Sequence, residues 1–149
     1  MSQSVTTKTE QGLYVHPEAL TAHLPALDYR GGALYMEQVS IAEVVKNYGT
    51  PCYVYSKQAI LDVYQAYTTS FVSLPHQICY AVKANPMITG EIMDDLPRFE
   101  ICSPGEARIC QRLGVDTEKM VISGVYKTPA FIDETAADPD FKGIFTVES

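Results

Sequence analysis

The chain has 149 residues, of which 46% are hydrophobic and 19% charged, and a formal net charge of −7. This composition is typical of a folded globular protein. Its eleven basic residues form no run, which argues against nucleic-acid binding, because phosphate backbones are bound by clustered lysines and arginines. No stretch approaches the roughly 20 apolar residues that span a bilayer. No secretion signal opens the chain and the four cysteines are dispersed, so we expect a cytoplasmic protein without membrane contact.

The first third of the chain combines a segment without regular periodicity and a segment with predicted strands and a helix. Residues 1–32 predict a flexible arm followed by an irregular segment, because polar residues and scattered prolines dominate there. Residues 33–56 predict a strand, a helix and a second strand, which lie at about 33–39, 41–48 and 52–55. A capping box at Ser40-Ile-Ala-Glu43 predicts the start of that helix, and Gly49 predicts its end.

From Ser56 onwards, helices and apolar strands alternate. Helices are predicted at about 57–71, 87–96, 104–113 and 129–137, and strands at 78–84, 98–102, 120–123 and 143–148. In Ser103-Pro104-Gly105-Glu106, a capping serine precedes a proline at the first helical position. Helices between strands return the chain to the same end of the sheet, so the sheet should be parallel. A doubly wound sheet and a half (β/α) barrel both satisfy this pattern.

Lys83 is the candidate reactive group. The segment Tyr80-Ala-Val-Lys-Ala-Asn85 places it at the C-terminal end of a predicted strand of small and apolar residues. Burial at that position would disfavour the ammonium form and leave an amine able to attack an aldehyde and form a Schiff base. Strand alternation predicts that Cys79, Ala81 and Lys83 share a face, where the small side chains could lie under a flat ring. The alternative is a lysine that extends from a strand end into water.

The same hexapeptide resembles the lysine motif of fold-type III pyridoxal-phosphate (PLP) decarboxylases, the alanine-racemase-like barrel class. The resemblance covers residues 33–149 and is strongest to the diaminopimelate decarboxylases, whose segments agree in chain order. The other matching segments are Tyr48-Gly-Thr-Pro-Cys-Tyr-Val-Tyr-Ser56, Phe99-Glu-Ile-Cys-Ser-Pro-Gly-Glu106, Val121-Ile-Ser-Gly-Val-Tyr-Lys-Thr128 and Phe145-Thr-Val-Glu-Ser149.

This resemblance implies an α/β fold, the N-terminal half of a PLP-binding (β/α)8 TIM-type barrel, preceded by a short segment of the β domain. Residues 57–149 would form the truncated half barrel. Lys83 would bind PLP, Ala81 would lie under the cofactor, and Glu100 would stand near the cofactor and Lys83. Ser123 would contact the cofactor or merely end a strand. No metal is implied.

Several positions remain open. Glu100 replaces a usual aspartate, and a strand-end glutamate could equally be solvated. Glu106 matches an acidic position near the family's active-site mouth, although the capping box accounts for it without catalysis. Lys127 could touch substrate or only end a strand. Pro104 and Tyr126 also depart from the family pattern, which affects the choice of substrate more than that of cofactor.

The implied activity is decarboxylation of meso-diaminopimelate to L-lysine by a homodimer with its active site at the subunit interface. The alternatives are a decarboxylase of ornithine, arginine or a carrier-bound amino acid, and a non-catalytic homologue that binds a partner. The family's glycine-rich phosphate loop, ring-stacking histidine and later strands have no counterpart in these 149 residues. We therefore expect the chain by itself to be inactive.

Overall fold

The computed structural model describes residues 6–9, 12–15, 21 and 24–148. The chain divides into two compact units, residues 1–60 and residues 61–149. Much of the predicted N-terminal arm lies outside the described residues. The division of the chain at 32/33 and 56/57 therefore stays a prediction.

The N-terminal unit contains two antiparallel sheets. Strands β1 (Thr6–Thr9) and β2 (Gly12–Val15) pair with each other, although the sequence predicts a loose arm there. A second sheet has the order β3-β4-β5 and is followed by a helix. Its elements are β3 (Leu27–Arg30), β4 (Ala33–Met36), β5 (Val39–Ser40) and helix α1 (Ile41–Tyr48).

Two tight turns build this second sheet. Gly31 and Gly32 both have positive φ, 59° and 81°, which is the geometry of a two-residue hairpin whose twist matches its strands. The turn pairs β4 with β3, a strand that the sequence pattern does not predict. The predicted single strand at 33–39 is wrong because the chain turns at residues 37–38 and Met36 then pairs with Val39.

Helix α1 has the predicted bounds, but its start differs in detail. The Ser40 side chain makes no capping hydrogen bond, so the predicted capping box does not form. At the other end, the Gly49 amide donates to the Val45 carbonyl at 2.8 Å, as expected of a glycine stop. The strand predicted at 52–55 is also wrong: within the described part of the chain no strand pairs with it, and Tyr53 is 90% exposed.

Helix α2 (Lys57–Ser70) spans the boundary between the units, and its start is set by Ser56. The Ser56 hydroxyl accepts a hydrogen bond from the Ala59 amide at 2.8 Å, which is the geometry of a capping serine. The same hydroxyl donates to the Glu37 carboxylate.

A four-stranded parallel sheet with the order β6-β7-β8-β9 dominates the C-terminal unit. Each strand lies next to the one before it in the chain. A doubly wound sheet reverses direction after its first strands, whereas a barrel continues in one direction. The order therefore favours the half barrel. The strands are β6 (Cys79–Ala81), β7 (Arg98–Ile101), β8 (Met120–Ile122) and β9 (Ile144–Phe145).

Three helices connect these strands: α3 (Thr89–Ile92), α4 (Pro104–Leu113) and α5 (Pro129–Ala137). The bounds of α4 and α5 are as predicted because local caps set them. The Ser103 hydroxyl accepts from the Glu106 amide at 3.3 Å, and the Thr128 hydroxyl accepts from the Phe131 amide at 3.3 Å.

The segment after β6 departs from the prediction. The strand expected to reach residue 84 ends at Ala81 and continues as a 3-10 turn over Val82–Ala84. Instead of one helix at 87–96, a 3-10 turn at Pro86–Ile88 leads into the short α3. The Asn85 side chain accepts from the Met87 amide at 3.2 Å, which starts the second turn locally.

The core lies between one face of the parallel sheet and the helices. Phe99, Ile101, Met120 and Ile122 are 0–1% exposed, and Ile92 of α3 and Cys110 of α4 are 0% exposed. All four cysteines are free thiols. Among the described helices, none combines the length and the apolar character needed to cross a bilayer.

Candidate functional site

Polar side chains follow the strands of the parallel sheet at one edge. Lys83 lies shortly after β6, Cys102 directly after β7, Ser123 directly after β8 and Glu148 shortly after β9. The strands are parallel, so their C-terminal ends meet at this edge. In barrel enzymes the catalytic groups are carried at this edge, which makes it the candidate site.

Strand register assigns the predicted site residues to one face. Ala81 pairs with Glu100, and Glu100 pairs with Val121, so these three side chains lie on the same face of the sheet. All three are only partly buried, whereas Phe99 and Ile101 on the opposite face are 0% exposed. The candidate residues therefore occupy the face that the helices do not cover.

Lys83 is at the predicted edge but not in the predicted environment. It lies in the 3-10 turn after β6, and its side chain is exposed. The expectation of a lysine buried at a strand end, in alternation with Cys79 and Ala81, is therefore wrong. The cause is the early end of the strand: the turn buries Val82, 0% exposed, and directs its neighbour outward. Lys83 still lies on the same end of the sheet as Glu100 and Ser123.

Glu100 and Ser123 are in direct contact. The Ser123 hydroxyl donates to the Glu100 carboxylate at 2.8 Å, and Ser123 itself is only 8% exposed. The Ser123 amide donates to the Ile101 carbonyl at 2.9 Å, which continues the pairing of β7 with β8 beyond the strands. Among the described residues, no other hydrogen bond reaches this carboxylate, so one of its oxygens stays available to a ligand.

Cys102 extends this contact, although no sequence motif pointed to it as a site residue. Its sulfur lies 3.5 Å from the Ser123 hydroxyl oxygen. A side chain at Gly124 would contact Cys102, because an added Cβ atom would lie 3.6 Å from the Cys102 Cβ. The thiol therefore packs beside the Ser123–Glu100 pair.

Glu106 is occupied by capping. Its carboxylate accepts from the Cys102 amide at 2.9 Å and from the Ser103 hydroxyl at 2.9 Å. These two bonds satisfy donors at the start of α4 and use both carboxylate oxygens. The structure thus supports the capping interpretation over a catalytic one.

Lys127 and Glu148 form an ion pair between the loops after β8 and β9. The Lys127 side chain is 13% exposed and that of Glu148 is 38% exposed. The Lys127 hydrogen bond, followed by that of the Thr146 hydroxyl, lowers the pKa of the Glu148 carboxyl to about 2. Glu148 was missed as a site residue; the available signal was an acidic residue after the fourth strand, opposite a lysine after the third.

This ion pair borders a cavity of about 360 Å³ between the two loops and α5. Its polar lining comes from the ion pair, Gly124 and Thr146, and its apolar lining comes from Val125, Ile132, Phe145 and Val147. In the part of the chain that the structure describes, no group of three His, Cys, Asp or Glu side chains could hold a metal ion.

Known proteins resemble this chain in sequence and in fold. A diaminopimelate decarboxylase of Aquifex aeolicus is 37% identical over 134 residues, which cover 89% of this chain and 31% of that protein. A crystal structure of diaminopimelate decarboxylase from M. jannaschii in co-complex with L-lysine has a TM-score of 0.68 and 25% identity, covering 83% of this chain and 30% of that one. This chain is similar in sequence and in fold to part of the diaminopimelate decarboxylases.

A crystal structure of an Aquifex aeolicus protein is also similar, with a TM-score of 0.72 and 36% identity over 87% of this chain and 32% of that one. No protein-family model matches the chain. The chain spans between about a quarter and a third of the length of the relatives it matches, 31% of the Aquifex aeolicus diaminopimelate decarboxylase and 24% of that of Vibrio cholerae.

The likeness to diaminopimelate decarboxylases confirms the predicted fold class. These are carboxy-lyases that use PLP on a TIM-type barrel. The parallel order β6-β7-β8-β9 agrees with the beginning of such a barrel. In TIM-type barrels the C-terminal ends of the strands carry the catalytic groups, and Lys83, Glu100 and Ser123 lie at that end of this sheet.

Proposed function

We propose that this chain carries the cofactor lysine of a PLP-dependent amino-acid decarboxylase that converts meso-diaminopimelate to L-lysine and carbon dioxide. The observation that carries the proposal is the register of β6 and β7. It pairs Ala81 with Glu100 and so brings Lys83, Glu100 and Ser123 to one edge of the sheet. The names of the relatives, one of them in complex with L-lysine, support the choice of substrate and product.

The residues at this edge fit PLP. The exposed Lys83 amine is accessible to an aldehyde. Ala81, on the face of Glu100, offers only a methyl group beneath a planar ring. The Glu100 carboxylate has one oxygen fixed by Ser123 and the other available to a cationic nitrogen. When bound, PLP supplies a conjugated ring that accepts the electron pair released as carbon dioxide leaves.

Each residue then has a defined task. Lys83 would hold the cofactor covalently and release it to the incoming amino acid. Glu100 would accept a hydrogen bond from a protonated nitrogen at the site and so stabilise its positive charge. Ser123 would keep the Glu100 carboxylate in one orientation, because a fixed acceptor needs no reorganisation when charge develops.

The complete enzyme needs more than these residues. Because the chain covers only about a quarter to a third of its relatives, we assign the contacts to the cofactor phosphate to residues outside it. We also propose a cytoplasmic homodimer with its active site at the subunit interface, which acts on a small-molecule amino acid.

The test is covalent trapping at Lys83. The 149-residue chain is incubated with PLP, reduced with borohydride and mapped by mass spectrometry for modified lysines. We expect modification of Lys83 in clear preference to Lys142, an exposed lysine whose side chain is 65% accessible. Glu100→Gln should lower the yield at Lys83 several-fold, whereas Lys142→Ala should not change it. Equal modification of all exposed lysines would contradict the proposal.

The substrate is tested on the same adduct. Before reduction, meso-diaminopimelate should displace the cofactor from Lys83 and thereby reduce the trapped product. Ornithine and arginine at equal concentration should displace less of it. If ornithine or arginine is the more effective, the assignment of the substrate is wrong while that of the lysine stands.

A further inference from the structure

The Lys127–Glu148 pair holds a single residue from both sides. The Glu148 carboxylate accepts from the Gly124 amide at 3.1 Å, and the Lys127 ammonium donates to the Gly124 carbonyl. Gly124 has a φ of 80°, a conformation that depends on the absence of a side chain. The ion pair thus satisfies both backbone polar groups of a residue that belongs to no helix or strand.

Gly124 directly follows Ser123, the residue that contacts Glu100. Fixing the Gly124 peptide therefore restricts the backbone of Ser123 and the direction of its hydroxyl. A third bond supports the arrangement, because the Thr146 hydroxyl donates to Glu148 at 2.7 Å. The chain of contacts runs from Glu148 and Lys127 through Gly124 and Ser123 to Glu100.

We propose that Lys127 and Glu148 are positioning residues, which orient Ser123 and through it the Glu100 carboxylate. The catalytic role of this positioning rests on the proposed function. The positioning itself can be measured without any cofactor. The burial of the Lys127 side chain, which is 13% exposed, supports this proposal. Ion pairs between fully solvated side chains contribute little to structure, whereas this lysine is largely shielded from water.

A matched control exists at the opposite ends of the same strands. Glu118 precedes β8, Lys142 precedes β9, and their charged groups lie 3.4 Å apart. Both side chains are well exposed, 62% and 65%. Removing this pair changes the net charge and the contact between the two strands in the same way, without touching Gly124.

The experiment compares Glu148→Gln with Glu118→Gln in the isotopically labelled 149-residue chain at neutral pH. Two NMR signals are read: the hydrogen exchange of the Gly124 and Ser123 amides and the carboxyl carbon resonance of Glu100. Glu148→Gln should accelerate exchange at the Gly124 amide roughly tenfold, as expected for losing a hydrogen bond to a charged group. It should also accelerate exchange at the Ser123 amide, because the neighbouring peptide is no longer fixed, and should shift the Glu100 resonance. Glu118→Gln should change neither, and Glu148→Asp should have a smaller effect than Glu148→Gln.

The outcomes separate the alternatives. Faster amide exchange with an unchanged Glu100 resonance would show that the pair only stabilises the loop, and would overturn the proposal. An unchanged exchange rate would also overturn it. If Glu148→Gln unfolds the chain, the same signals are read in Lys127→Arg, which keeps the charge but alters the contact with Gly124. Failure of PLP trapping at Lys83 concerns the proposed function alone, because neither NMR signal depends on the cofactor.

Discussion

The Ser123 hydroxyl donates a 2.8 Å hydrogen bond to the Glu100 carboxylate, and this bond joins the C-terminal ends of two neighbouring parallel strands. Ser123 is buried, whereas Glu100 is only partly buried. The serine is therefore the fixed partner and the glutamate the accessible one. A carboxylate held in this way can present its second oxygen to a ligand without losing its orientation.

Ser123→Ala should destabilise the chain, because it removes the donor and leaves a partly buried carboxylate without it. We expect a loss of about 1.5 kcal/mol in the free energy of unfolding, measured by urea denaturation. Ser70→Ala is the control, since Ser70 is exposed and donates to the Ala66 carbonyl of its own helix; its effect should stay within about 0.5 kcal/mol. Equal effects of the two substitutions would argue against a special role of Ser123.

Glu148 should make stability depend on acid pH. Its pKa is lowered to about 2 in the folded chain, first by the Lys127 hydrogen bond, whereas an unfolded glutamate titrates at about 4.3. The contribution of Glu148 to stability is therefore fully present above about pH 5 and is lost as the pH falls towards 2. Urea denaturation of the wild type and of Glu148→Gln should give curves of stability against pH that converge over this range. Parallel curves would show that the ion pair does not form.

Gly143→Ala should strain the turn before β9. A Cβ atom there would lie 2.7 Å from the Met120 carbonyl oxygen and would also clash with the Phe141 ring. A backbone oxygen cannot rotate away, so we expect a loss of about 1–3 kcal/mol. Gly105→Ala in α4 is the control, because its nearest atom outside the adjacent residues is 3.8 Å away; it should be neutral or stabilising by up to about 1 kcal/mol. Thermal denaturation distinguishes the two.

Ser103→Ala and Glu106→Ala should each destabilise α4 by about 1 kcal/mol, because both remove parts of one capping arrangement. The effect of the double variant should be smaller than the sum of the single effects, since the two side chains bond each other. Neither substitution should change PLP trapping at Lys83 if capping is the role of Glu106. A selective loss of trapping in Glu106→Ala, without loss of stability, would instead assign it to the cofactor site.

Elements with local signals could be predicted from the sequence. Ser103-Pro104 and Thr128-Pro129 set the starts of α4 and α5, since a cap and a proline act within one turn of the helix. The parallel sheet followed from the alternation of strands and helices. The choice between a doubly wound sheet and a half barrel could not be predicted, because the order of the strands depends on contacts between residues distant in the chain.

Other features depended on partners that a local pattern cannot show. Strand β3 forms because the Gly31-Gly32 turn folds it onto β4, although Asp28 and Arg30 give it a charged surface. Residues 52–55 have the composition of a strand but no described partner strand. The environment of Lys83 was predicted from alternation, which stops being valid where β6 gives way to a 3-10 turn. Glu148 gains its importance only through its contact with Lys127.

Strand β9 contributes only two paired residues to the sheet, Ile144 and Phe145, and so few bonds leave the alignment of a strand weakly determined. Two ion pairs connect β8 and β9. Glu118 before β8 pairs with Lys142 before β9, and Lys127 after β8 pairs with Glu148 after β9. A slip of β9 along β8 would separate both pairs at once. The partly buried pair after the strands, Lys127 and Glu148, therefore favours one alignment of this short strand, whereas the exposed pair before the strands contributes little.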